Sequence, residues 1–220
     1  MTNPSLLTLL SVALSAAISL AQEAAPETPQ DTVYLTSLAA LKDEPGATEI
    51  ERAISALSEN ARTGHEPSEL LLAQAFYLGS KVIPQDYKRA FPHVRAMALR
   101  NHPWSMNAFA SMHEFGQGTE RNAGTAFGWY RLAAEIGHPR AMANLGRILI
   151  TRPASSQDHI EGCAWLYLSR EMKDGIGATT LREIEPKLPA ANLQKIEARL
   201  SALRSHVQQK APDRPGKRAE

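Results

Sequence analysis

A chain of 220 residues with 43% hydrophobic and 21% charged side chains can bury a core and is too apolar for an intrinsically disordered protein. The formal net charge of +1 excludes a global field that would draw the chain onto nucleic acid or an anionic membrane. One cysteine, Cys163, excludes an intramolecular disulfide framework.

Met1 to Ala21 carries no charged side chain. An apolar run from Leu6 to Leu14 leads to Ser19-Leu20-Ala21, whose small residues at both ends predict signal-peptidase cleavage before Gln22. The opening Met-Thr-Asn-Pro-Ser lacks Lys and Arg, which keeps an uncleaved anchor open as the alternative. The apolar run is nevertheless short for a span of about 20 residues. The expected mature chain starts with a flexible, Pro-containing tail over residues 22–30 and is directed to the periplasm or beyond. N-terminal helices and a partial repeat are expected over 31–66, including a short helix from Thr32 to Leu41 ended by Pro45-Gly46.

From residue 64 onward one unit recurs. Gly64-His65, Asn101-His102, Gly137-His138 and Asp174-Gly175 follow one another at steps of 37, 36 and 37 residues. Within each step a first helix places large apolar residues at i and i+4: Leu72 with Phe76, Phe109 with His113, Leu145 with Leu149. A small residue follows the first of each pair (Ala73, Ala110, Gly146) and lets a partner helix approach closely. Gly79 and Gly116 are placed to end the first helix. Asp86, Asn122 and Asp158 are placed to cap the second. The second helix then carries Ala90, Ala126 or Gly162, with Trp129 and Trp165 as expected core aromatics. Pro103 and Pro139 suit the first turn of the next helix. Cys163 lies between Gly162 and Ala164-Trp165-Leu166, as a packed helix face would have it.

The repeat region is thus expected over 67–175, capping helices over 176–207 and a disordered basic tail over 208–220. In the capping segment Leu193, Ile196, Leu200 and Leu203 have helical spacing, and Leu188-Pro189 predicts a break. One hairpin cannot bury its own apolar faces, so about four stacked pairs sharing a continuous core are predicted.

These residues resemble the Sel-1-like repeat family, relatives of the tetratricopeptide repeats. The resemblance rests on Gly116-Gln117-Gly118, Ala126, Trp129-Tyr130, Ala133-Ala134 and Gly137-His138, with Pro84-Gln85-Asp86-Tyr87 in the preceding unit. It implies an all-α fold, a right-handed superhelical solenoid of helix pairs. It also implies that residues two before, two beyond and five beyond the Leu/Phe site face a concave groove. Those positions are Asn107, then Gln74 and Ser111, then Tyr77 and Glu114, with Arg147 from the following unit. They form a mixed polar strip suited to an extended peptide or a glycan, and an ordinary solvated helix face is the alternative. Some disulfide-rich relatives act on β-lactams; their paired cysteines are missing here.

No catalytic constellation is found. The sequence holds no Gly-x-Ser-x-Gly elbow, no His-Glu-x-x-His and no Walker or dinucleotide loop. His65, His102 and His138 recur at one repeat position, about 10 Å apart in stacked helix layers, too far to share one zinc. They are expected to cap or pack at the turns, and His113 to be half-buried. The resulting expectation is an exported scaffold or adaptor, acting as a monomer on a protein or peptide, without nucleic acid, metal or cofactor. A hydrolase of cell-wall or lactam substrates is the alternative.

Overall fold

The computed structural model describes residues 28–41, 45–80 and 82–210, and every regular element among them is helical. The helices are α1 (Pro29–Ala40), α2 (Ala47–Arg62), α3 (Glu66–Leu78), α4 (Tyr87–Leu99), α5 (Pro103–Phe115), α6 (Ala123–Glu135), α7 (Pro139–Leu149), α8 (Gln157–Glu171), α9 (Gly175–Ile184) and α10 (Ala190–Lys210). A 3₁₀ turn, Glu185–Lys187, follows α9. The chain forms two compact units. The first holds α1 to α4 together with Gly116–Glu120; the second holds α5 to α10 without that segment. The expected leader at 1–21 lies outside the described residues.

Sequential hairpins build both units: α1 packs on α2, α3 on α4, α5 on α6 and α7 on α8. The expected small residues are fully buried: Ala73, Ala90, Ala110 and Ala126. At Gly146 and Gly162 the approach is closest. A Cβ on Gly146 would lie 2.7 Å from Leu166 Cγ and 2.8 Å from the Gly162 carbonyl oxygen. A Cβ on Gly162 would lie 2.8 Å from Leu149 Cβ.

The turns that follow α2, α6 and α8 are Schellman motifs. Gly137 N–H donates to Ala134 O and His138 N–H to Ala133 O, both at 3.0 Å. Lys173 N–H donates to Arg170 O at 2.9 Å and Asp174 N–H to Ser169 O at 3.1 Å. The left-handed residues are Gly64 (φ 96°), Asn101 (φ 60°), Gly137 (φ 94°) and Lys173 (φ 65°). The last junction therefore sits one residue earlier than the Asp174-Gly175 alignment placed it. Lys173 takes the glycine place, and Asp174 takes the histidine place as N-cap of α9, accepting from Ile176 N–H (2.9 Å) and Gly177 N–H (3.1 Å).

Several sequence expectations shift in the same way. Asp158 does not cap α8; Ser156 does, accepting from His159 N–H at 3.2 Å, and Asp158 lies in the first turn. Two extra residues at the start of α8 fit where the glycine turn of other repeats is missing. Trp129 is half-buried, edge-on to Phe109 at 5.2 Å, while its neighbour Tyr130 is the fully buried aromatic; Trp165 is buried. Leu193 is exposed. The buried stripe of α10 is Asn192, Ile196, Leu200, Leu203 and Val207, with the Asn192 amide donating to Ala154 O at 2.8 Å. Helix α1 starts at Pro29, inside the expected flexible tail, and α10 runs to Lys210, inside the expected disordered one. Both α9 and α10 rest on α8, and the Lys210 ammonium reaches Glu135 of α6 at 2.8 Å. Cys163 is buried between Ile160 and Ile196, and this burial pushes its thiol up to about 11.

Three substitutions test this backbone. Gly146→Ala should destabilise by about 1–3 kcal/mol through overpacking. Gly128→Ala, at an exposed mid-helix site with nothing within 4 Å, should stabilise by about 0.5–1 kcal/mol. Urea melts of the two variants that moved together would refute the tight crossing. Lys173→Gly should likewise raise stability by about 1 kcal/mol by relieving the left-handed backbone; an unchanged urea midpoint would place Lys173 outside that conformation.

Candidate functional site

The recurrent histidines are built into helix starts. Ser68 N–H donates to His65 Nδ1 (3.3 Å), Ser105 N–H to His102 Nδ1 (3.4 Å) and Ala141 N–H to His138 Nδ1 (3.2 Å). An imidazole nitrogen that accepts a backbone N–H cannot also bind a metal or carry a proton. Among the described residues no group of three or more His, Cys, Asp or Glu is placed to hold a metal ion. Burial, with the Arg140 charge next and His102 adding to it, holds His138 down at about 4, against the opposing pull of Asp174.

In the first unit this cap belongs to a longer chain of polar groups. The Ser68 hydroxyl lies 2.8 Å from His65 Nδ1, and His65 Nε2 lies 3.1 Å from Asp31 Oδ1 of α1. The Asn60 amide donates to the Ser68 hydroxyl (2.9 Å) and to Gln30 O (2.8 Å). The order of residues is that of a hydrolytic triad. Ser68, however, is 0% exposed, so its oxygen meets protein on every side. The network joins α1, α2 and α3.

The six strip residues fall in both units. Gln74 and Tyr77 are half-buried on α3, where the Tyr77 ring meets Tyr87 edge-on at 5.5 Å and its carbonyl accepts from the Gln85 amide at 2.9 Å. In the second unit the fold brings Asn107 and Glu114 of α5 against α7. Asn144 Nδ2 donates to Asn107 Oδ1 at 3.1 Å. Arg147 pairs with Glu114 Oε1, and the Tyr130 hydroxyl donates to Glu114 Oε2 at 2.8 Å. Ser111 lies between Asn107 and Glu114 on α5, half-buried.

Two neighbours were absent from the sequence expectation. Asn144 lies one position past Ala143, the repeat equivalent of Asn107 in the register that pairs Phe109 with Leu145, so only the contact between α5 and α7 reveals it. Arg140 lies seven residues before Arg147 and donates through Nε to Asp174 Oδ2 at 2.7 Å. Its partner became visible only once the last junction was placed correctly.

Residues 67–101, 105–138 and 139–174 match the Sel1 repeat family. The chain is a Sel1 repeat protein. Its fold is similar to that of a protective antigen present in uropathogenic Escherichia coli strains that displays an SLR fold (TM-score 0.65, 24% identity, 93% of this chain and 45% of that one). The chain thus spans under half the length of that protein. It is also similar to a Sel1 repeat protein from Oxalobacter formigenes (TM-score 0.61, 22% identity, 88% of this chain and 81% of that one). The Sel1 repeats coincide with the α3/α4, α5/α6 and α7/α8 hairpins and the turns that join them.

The His138 cap makes stability depend on pH. Unfolded, the imidazole takes up a proton near its ordinary 6.5; folded, only near 4. Its contribution, on the order of 3 kcal/mol, is complete above about pH 6.5 and is lost as pH falls toward 4. His138→Asn keeps a capping oxygen and removes the titration. The difference in urea midpoint between wild type and this variant should shrink steadily from pH 7 to pH 4.5; a constant difference would refute the depressed value.

Proposed function

We propose that this Sel1 repeat protein is an exported interaction module that holds a protein partner on the polar face of its first helices. Sel1 repeats generally mediate protein interactions. The observation that carries the reading for this chain is the separation of labour on α5 and α7. Their buried sides, Met106, Ala110, Met142 and Leu145 among them, complete the core. Asn107, Ser111, Asn144 and Arg147 remain at the surface and are not needed to fill it. Polar side chains held at fixed positions on rigid helices offer a partner hydrogen bonds at small ordering cost. Gln74 and Tyr77 hold the matching positions on α3 of the first unit.

Export is supported by the uncharged leader pattern of Met1 to Ala21 and by the buried, unreactive state of Cys163, which suits an oxidising compartment. Among the described residues no helix is long and apolar enough to cross a membrane. The sequence carries no nucleophile elbow and no metal-ligand motif, and among the described residues the Ser68 hydroxyl beside His65 is sealed from solvent.

A photo-crosslinking residue placed at Ser111 in the native host should capture one or a few proteins. The same residue at exposed Arg131, on the second helix of that hairpin, should capture far less. Equal capture from both positions would remove the first-helix face from the proposal. The intact mass of the protein purified from envelope or medium should correspond to a chain starting at Gln22; a mass that includes Met1 to Ala21 would show an uncleaved anchor instead.

A further inference from the structure

We infer that α7 carries a two-pronged site for an extended acidic segment of a protein, with Arg140 and Arg147 as the prongs. The inference rests on the interaction-module reading above and names the chemistry of the partner. Residues 140, 144 and 147 are spaced i, i+4 and i+7, so they share one face of α7, with the two arginines about 10.5 Å apart along the axis.

Each guanidinium is anchored from beneath by a carboxylate that hardly meets water. The Arg140 side chain is 49% exposed and its partner Asp174 6%. The Arg147 side chain is 41% exposed and its partner Glu114 15%. Asp174 is held in turn by two backbone N–H groups, and Glu114 by Tyr130. Solvent therefore meets the positive member of each pair. Arg140 uses Nε for its anchor and Arg147 uses Nη2, which leaves further N–H donors on each half-exposed guanidinium for a ligand. A third cation reinforces the sign: Arg121 donates through Nε to the Glu114 carbonyl at 3.0 Å, a backbone group with no formal charge.

The occupant is set by charge and spacing. Anchored guanidinium forks select carboxylates, which they bind in a bidentate manner. The rise of about 10.5 Å between the two backbone positions is close to that of an extended segment in the polyproline conformation, where residues three apart share a side and lie about 9.3 Å from one another. Such a segment has no internal hydrogen bonds and needs partners for its backbone. Between the prongs, Asn144 Nδ2 is spent on Asn107 Oδ1, so Asn144 Oδ1 and Asn107 Nδ2 are the groups placed to meet that backbone. The structure assigns to α7 a ligand with two acidic side chains at i and i+3.

The test uses the full chain and a fluorescein-labelled, amidated probe peptide, Gly-Gly-Pro-Glu-Pro-Pro-Glu-Pro-Gly, at low ionic strength. Two controls accompany it: the same peptide with Gln for both Glu, and an isomer with the two Glu adjacent. Anisotropy should show the probe binding about tenfold more tightly than the Gln control, with the isomer in between. Arg140→Met and Arg147→Met should each weaken the probe several-fold without changing binding of the Gln control. Because removing Arg147 bares Glu114, a wild-type readout accompanies the variants. The probe should shift the side-chain Nε–H resonances of Arg140 and Arg147 in proton–nitrogen correlation spectra. Equal affinity for the probe and the Gln peptide, or for the probe and its isomer, would overturn the acidic-ligand inference and leave the interaction-module reading intact. Arginine resonances unmoved at saturating probe would overturn it as well. Failure of that reading shows separately, as equal crosslinking from Ser111 and Arg131.

Discussion

The four-residue junction between one hairpin and the next is the constraint on which the rest depends. A helix end leaves carbonyls without partners and a helix start leaves N–H groups without partners. Here both are settled in one short stretch. At Gly137-His138 the Schellman bonds close α6, and the next ring nitrogen opens α7. At Lys173-Asp174 the same bonds close α8, and a carboxylate opens α9. With both ends satisfied, little conformational freedom remains at the turn, so the direction of the following helix is set by backbone geometry. The position after the left-handed residue must therefore be an acceptor that reaches forward. Histidine and aspartate both can, which explains a recurrent histidine without any need for metal or catalysis.

Given that junction, packing inside each hairpin is decided by small residues. Gly146 and Gly162 leave their helices so close that a single methyl group would strike backbone or a Leu side chain. The alanines at the same repeat positions in α3, α4, α5 and α6 are fully buried. Large residues then fill the flanks of the contact, and in α5/α6 the aromatic that sinks deepest is Tyr130, not Trp129. The Tyr130 hydroxyl explains the preference, since it reaches Glu114 at 2.8 Å and ties the second helix to the polar face of the first. Core and surface meet at that carboxylate, which also anchors Arg147.

The polar face of α5 and α7 was legible as a set of positions and illegible as a set of partners. The resemblance to tetratricopeptide repeats pointed to Asn107, Ser111, Glu114 and Arg147 as groove-facing positions, because the repeat register carries such positions from one unit to the next. It gave no sign that Glu114 serves two neighbours, or that Arg140 belongs with Arg147. Those facts depend on which residue of one repeat lies beside which residue of the next. A one-residue error at the last junction was enough to hide the Arg140–Asp174 pair.

From its order of residues alone, this chain already specified helices of near-equal length, their stacking as hairpins, the small residues at their crossings and the membership of its repeat family. Those features follow from periodicity, turn chemistry and capping, which act over a few residues. Tertiary packing alone decided the burial of Tyr130 over Trp129, the sealing of Ser68 beside His65 and the pairing of arginines over carboxylates largely shielded from water. Each of these turns on contacts between residues far apart in the chain, where a shift of one position exchanges a buried partner for solvent.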